Sequence, residues 1–142
     1  RAEPLSRARL DALTRLRDEG ALTMETLLSA FIRPFFDLSR EDPRWRDYAR
    51  LVAFASADDR WQMISQECFD PTAEVFLSEI VGLAPGVPRH EAAEGFVFCV
   101  SAMLALLTSQ GRIGALGGTA APEDDQIQHL VRFCAAGLTA RR

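Results

Sequence analysis

The sequence predicts an all-α fold, a helical bundle of about six or seven helices. Three observations predict it. Apolar residues recur three and four positions apart through most of the chain, and proline, glycine and aspartate cut these stretches into helix-length pieces. No segment alternates with a strand period beyond a few residues. Val97 to Val100 would read as a strand in isolation, but its flanks are alanine, leucine and methionine at helical spacing, so helix is expected there too.

Taken in order, Ser6 is placed to cap a first helix carrying Leu10, Leu13 and Leu16, with Gly20 ending it. Thr23 caps a second, with Leu27, Leu28, Phe31, Ile32, Phe35, Phe36 and Leu38 on a broad apolar face. Pro34 should kink that helix, because proline removes a backbone donor. Asp42-Pro43 and Asp70-Pro71 repeat one start signal, an aspartate cap followed by proline in the first turn. The first opens a helix with Trp45, Tyr48, Leu51, Val52 and Phe54; the second opens one with Val75, Phe76, Ile80 and Val81. Asp58-Asp59 introduces a short segment holding Trp61, Met63, Ile64 and Phe69. Pro85-Gly86-Val87-Pro88 is a turn, and a long helix follows from about Pro88 to Gln110. Its stretch from Gly95 to Leu107 is apolar nearly all round, yet shorter than the roughly 20 apolar residues that span a bilayer. A protein neighbour, such as a second copy of the chain, is the expected cover. Gly111 to Ala121 reads as a flexible connector. The last helix runs from about Pro122 to Ala140, with Glu123, Asp124 and Asp125 at its positive end.

A length of 142 residues fits one domain, 1–142, with a core of useful size. The net charge of -4 gives no basis for gripping nucleic acid through bulk charge. Cys68, Cys99 and Cys134 are odd in number and embedded in apolar helical pattern, which reads as buried thiols in a reducing, cytoplasmic setting rather than a disulfide framework. The chain opens Arg1-Ala-Glu-Pro4, with no initiator methionine and no signal-peptide layout, and looks like part of something longer.

Chemistry-bearing patterns are sparse. His90 and His129 have no second imidazole at helical ligand spacing, so no metal site is expected and no cofactor is called for. Gly111-Arg-Ile-Gly-Ala-Leu-Gly-Gly118 resembles a phosphate cradle only in composition, because the preceding strand and the following Lys-Ser/Thr are missing. Asp58-Asp59 and Asp124-Asp125 sit at helix starts, where capping accounts for them. No serine is spaced with a base, and no catalytic residue is assigned. The aromatic and methionine residues of successive helices form the remaining pattern. Filling a core explains any one of them; as a set they also suit the lining of an apolar cavity.

In order, these elements resemble the C-terminal effector and dimerisation domain of TetR-family transcriptional regulators. The resemblance is carried by Phe31-Ile-Arg-Pro34, Asp42-Pro-Arg-Trp45, Phe69-Asp-Pro-Thr-Ala-Glu-Val-Phe-Leu77, Leu83-Ala-Pro-Gly-Val-Pro88 and Leu130-Val-Arg-Phe-Cys-Ala-Ala-Gly-Leu138. It is nearest in flavour to the fatty-acid-responsive repressors. It implies a homodimer and a small apolar or amphipathic effector. It also implies DNA binding only through an N-terminal helix-turn-helix missing from this chain, with residues 1–4 as the tail of a linker helix. Residues expected at the ligand are Phe31, Arg33, Phe35, Phe54, Trp61, Met63, Phe76 and Met103. The family pairs the last two helices of each subunit, which points to Phe96, Val100, Met103, Leu107, Ile127, Leu130, Val131, Cys134 and Leu138 at the dimer interface. The competing readings are a structural α-helical interaction domain with a filled core and, weaker, an enzyme of small apolar substrates. A membrane partner is not expected.

Overall fold

The computed structural model describes residues 3–44, 47 and 71–140, and is all helical there. Six helices have defined bounds among the described residues: α1 (Glu3–Glu19), α2 (Met24–Glu41), α3 (Pro71–Leu83), α4 (Arg89–Thr108), α5 (Gln110–Gly117) and α6 (Glu123–Thr139). Helix α2 is central, packing on α1, α3 and α6, while α4 closes the bundle against α3 and α6. Trp45, Tyr48, Leu51, Val52, Phe54, Asp58, Asp59, Trp61, Met63, Ile64, Cys68, Phe69 and Asp70 lie outside the described residues.

Helix α1 begins at Glu3, so Ser6 lies inside it and is not its cap. Its buried stripe is Leu5, Arg9 and Leu13, while Leu10 is 38% exposed. The expected leucine stripe is therefore rotated by about one position, because the buried face passes through a cation that an apolar pattern leaves out. Gly20 ends the helix at φ 64°, a left-handed conformation that costs glycine little. Its N–H donates to the Arg17 carbonyl at 3.2 Å and that of Ala21 to the Leu16 carbonyl at 3.0 Å, satisfying two otherwise open acceptors.

Thr23 caps α2 as expected, accepting from the Thr26 N–H at 3.1 Å while its own N–H donates to Thr26 Oγ1 at 2.8 Å. This is a capping box with threonine in the place usually held by Glu or Gln. Helix α2 continues through Pro34 to Glu41. Asp42 closes it, its N–H donating to the Leu38 carbonyl, and its carboxylate accepts from the Arg44 N–H at 2.9 Å, the bond of a cap for the chain entering at Pro43. Helix α3 starts at Pro71, and the turn before α4 is fastened by the Val87 N–H on the Ala84 carbonyl at 3.0 Å.

Helix α4 differs from expectation in one respect. It spans 20 residues and is long and apolar enough, by length and composition, to cross a membrane, so shortness does not exclude that role. In the fold, however, its Ala92, Phe96, Cys99, Val100, Met103 and Leu104 are buried. The second difference is α5. The glycine-rich stretch expected as a flexible connector is helical from Gln110 to Gly117, and the connector shrinks to the residues between Gly117 and Glu123. Ser109 both ends α4 and starts α5, its carbonyl accepting from the Ile113 N–H at 3.0 Å, so the backbone bonds of the first helix carry on into the second. Interspersed Ile113, Ala115 and Leu116 favour helix enough to tolerate glycines that cost about 1 kcal/mol each.

Helix α6 meets α2 through charge at its start. Arg40 Nε lies 2.8 Å from Glu123 Oε1, and Arg40 Nη2 lies 3.5 Å from Asp124 Oδ1. Exposed pairs of this kind contribute well under about 1 kcal/mol each, so they orient the helix more than they stabilise it.

The rotated stripe of α1 predicts unequal costs for two neighbouring leucines. Leu13→Ala should cost about 2–5 kcal/mol by urea unfolding, whereas Leu10→Ala should cost less than about 1 kcal/mol. Equal losses would put the stripe where the leucine spacing alone would have it.

Candidate functional site

The interior is organised around Phe31. Its ring meets Phe76 of α3 at 5.2 Å between centroids and Phe96 of α4 at 5.0 Å, both edge to face, the arrangement that aromatic quadrupoles favour. Arg9 of α1 completes the group. Its guanidinium carbon lies 3.7 Å from the Phe31 ring centroid, its Nε donates to the Phe31 carbonyl at 2.7 Å, and its Nη2 lies 3.9 Å from Met103 Sδ. Arg9 is only 3% exposed. A cation over an aromatic face in a desolvated setting gains about 2 kcal/mol.

Of the residues expected at the ligand, Phe31, Phe76 and Met103 come together here, with side chains 0–2% exposed. Phe35 is equally buried, and its ring meets Phe36 at 5.5 Å. Phe54, Trp61 and Met63 lie outside the described residues. Arg33 is placed elsewhere. Two residues along a helix from Phe31, it faces nearly the opposite way. Its Nε donates to Ser29 Oγ at 3.1 Å and its Nη2 to Gln128 Oε1 at 3.2 Å, so it fastens α2 to α6 at the surface. The cation of the aromatic group is Arg9, which apolar periodicity passes over. Its signal in the sequence is the spacing Leu5, Arg9, Leu13, one charge within an i, i+4 apolar stripe.

The residues expected at the dimer interface line a seam inside one chain. Phe96, Val100, Ile127, Leu130, Val131, Cys134 and Leu138 are all under 9% exposed without any partner chain, and Leu107 is half-buried. Gly95 allows the approach of the two helices, because a methyl group at that position would lie 2.5 Å from Leu138 Cδ2. The large apolar side chains that α4 and α6 turn outward are Phe98 and Phe133, 68% and 66% exposed. The helical period explains both sets, since Phe98 lies on the opposite side of α4 from Phe96 and Val100, and Phe133 on the opposite side of α6 from Val131.

Two concavities are open grooves at the surface. One, of about 640 Å³, runs between α1 and α2, with Ala12, Leu16, Ala30 and Pro34 among its walls and Asp11, Arg15, Arg33 and Asp37 beside them. The other, of about 530 Å³, lies between the start of α2 and the end of α6. Neither is lined by Phe31, Phe76, Phe96 or Met103. Among the described residues no cluster of three or more His, Cys, Asp or Glu is arranged to hold a metal ion.

The two arginines should respond differently to removal. Arg9→Ala removes the side-chain donor to the Phe31 carbonyl and leaves a void against the ring, and should cost more than about 2 kcal/mol. Arg33→Ala removes half-exposed polar contacts and should cost less than about 1 kcal/mol. Urea midpoints of the two variants test this, and a larger loss for Arg33→Ala would overturn the placement of the buried cation.

Comparison with curated proteins and with solved structures finds no match. Comparison with protein families does. Residues 29–137, well over half of the chain and everything from the middle of α2 to the end of α6, match the family described as tetracyclin repressor-like, C-terminal domain. The matched span holds Phe31, Phe76, Phe96 and Met103 as well as the α4 and α6 seam, and the chain belongs to this family of regulatory domains.

Proposed function

We propose that this domain binds a small amphipathic effector, with an acidic head and an apolar tail, and passes the binding event to a DNA-binding helix-turn-helix carried by the same regulator. The observation that carries this reading is the buried guanidinium of Arg9 against Phe31 and Met103. A buried guanidinium is an uncommon element in a core that has only to be filled. It suits a site in which a ligand's carboxylate meets charge and its tail meets aromatic and thioether surface. Phe54, Trp61 and Met63 are proposed to complete the lining, on the strength of the sequence pattern. The fatty-acid-responsive repressors supply the nearest ligand chemistry. Effector binding then acts by favouring one of two poses of the domain, in proportion to the difference in affinity between them. The setting is cytoplasmic.

Dimerisation is proposed to use the outward faces of α4 and α6, led by Phe98 and Phe133, and not the seam beneath them. Exposed aromatic side chains on two long helices are costly to leave in water. A domain with a filled core and no ligand is the second reading. The observation in its favour is the direct contact of Phe31 with both Phe76 and Phe96.

A thermal-shift series separates these readings. Straight-chain carboxylates of increasing length should raise the melting temperature progressively, at about 0.8 kcal/mol of binding per buried methylene, until the site is full. Alcohols of equal length should stabilise less, and Arg9→Lys should keep a preference for acids that Arg9→Met loses. If no acid and no alcohol stabilises the protein, the filled core is correct. Equal effects of acids and alcohols would leave an apolar site without a role for Arg9.

Interface substitutions provide an independent check. Phe98→Glu with Phe133→Glu should give a folded monomer in sedimentation, because neither side chain supports the core. Val100→Asp should unfold the chain itself, since Val100 is fully buried. A double variant that remains dimeric would place the interface elsewhere.

A further inference from the structure

Helices α4 and α6 run antiparallel where they touch, and one contact sets their register. Gly95 faces Leu138 closely enough that an added methyl group would lie 2.5 Å from Leu138 Cδ2. One helical turn further along α4 is Cys99, and one turn back along α6 is Cys134. The two thiols therefore lie at the same level of the seam, near enough for each to bear on the other's ionisation. Both are free and buried, with Cys99 6% and Cys134 4% exposed.

We propose that Cys99 and Cys134 form an oxidisable dithiol that closes to an intrachain disulfide between α4 and α6. Neither thiol serves the effector site. Two thiols at one level of a pair of packed helices need only a small adjustment to bond, whereas cysteines on elements farther apart require backbone movement. Each thiol also bears on the ionisation of the other. Interaction with Cys99 lowers the pKa of Cys134, against the desolvation that raises it, while the proton retained by Cys99 and its burial raise that of Cys99. The thiolate is the nucleophile in thiol oxidation, and the proposed sequence gives that part to Cys134, whose pKa the neighbouring thiol lowers.

The co-reactant is a peroxide, a neutral oxidant in its simplest form scarcely larger than water. The Cys134 thiolate attacks one peroxide oxygen, the O–O bond breaks, and the leaving hydroxide takes up a proton to become water. Cys134 is then a sulfenic acid. The Cys99 sulfur, giving up its proton, attacks the Cys134 sulfur, and the hydroxyl group leaves with that proton as a second water. Two thiols are oxidised by two electrons, and one peroxide is reduced to two waters. A dithiol reductant reverses the process by exchange. The disulfide would tie α4 to α6 one turn from their closest approach, closing the chain from residue 99 to residue 134 into a covalent loop that contains α5.

The test uses the whole chain in its native state, first fully reduced. After exposure to hydrogen peroxide, the protein is denatured under acid quench, its free thiols are counted, and it is digested without reductant for mass spectrometry. The expected result is a fall from three free thiols to one, an intact mass lower by two hydrogens, and a linked pair of peptides containing Cys99 and Cys134, all reversed by dithiothreitol. In Cys99→Ser the linked peptides should be absent, and Cys134 should be trapped by dimedone as a sulfenic acid; in Cys134→Ser, Cys99 should not be trapped. Three thiols remaining after peroxide treatment of the unmodified chain would overturn the proposal. So would a disulfide that uses Cys68 or joins two chains. None of these results depends on whether an effector binds.

Discussion

The packing of this domain depends on what surrounds a single ring. Phe31 sits midway along α2, and three other helices place a side chain against it: Arg9 from α1, Phe76 from α3 and Phe96 from α4. The guanidinium lies over the face of the ring, and both phenylalanine pairs are edge to face, so each of the three contacts sets positive charge against an aromatic face. Arg9 reaches this position because its Nε has an acceptor in the Phe31 carbonyl itself. One residue of α2 thereby offers a ring to aromatic neighbours and an oxygen to a cation. Moving it would affect α1, α3 and α4 together.

The helical architecture was legible because its signals are local. Thr23 with Thr26, Asp42 with Arg44, Pro71 at the start of α3 and the turn before α4 each determine a backbone bond or a proline position within a few residues of sequence. Where local signals compete, legibility falls. The glycines of the 111–118 stretch suggest a loop, but the backbone of α4 continues past Ser109 and only a short connector remains. Arg9 was illegible for a different reason. Its position in the buried stripe is decided by a ring and a carbonyl 22 residues away in sequence, and the local spacing of Leu5, Arg9 and Leu13 is read as burial only once those partners are known. Arg33 shows the converse. It is adjacent in sequence to the apolar face of α2, but 100° per residue carries it around to Ser29 and Gln128 at the surface.

The nearly all-round apolar character of α4 has a similar explanation. One side of the helix is buried against its own chain, through Phe96, Cys99, Val100 and Met103, and the other carries Phe98 at 68% exposure. Apolar residues on both sides blur the periodicity that would tell inner from outer, so the sequence identifies a helix needing cover without identifying which face a second molecule supplies. The fold resolves the inner half. Residues that look like interface in sequence, such as Val100 and Leu130, are already covered within one chain, and α6 repeats the division with Val131 and Cys134 inside and Phe133 outside.

The same helix that holds Phe31 is also the main connection to α6. Arg33 reaches Gln128 one turn after Asp124, and Arg40 meets Glu123 and Asp124 at the start of α6, all from the half of α2 that follows Phe31. These polar contacts are individually weak and exposed, so they fix direction without locking distance. The apolar contacts of Phe31 are buried and resist small displacements, because a close-packed interior leaves little room for gradual adjustment. Helix α2 therefore joins a stiff cluster at its middle to a compliant set of ion pairs at its end. On the proposed reading, a ligand that displaced the cluster would move the compliant end most easily, and that end bears on α6, whose outward face carries Phe133. Two helices in contact, α2 and α6, then connect the interior to that outer surface.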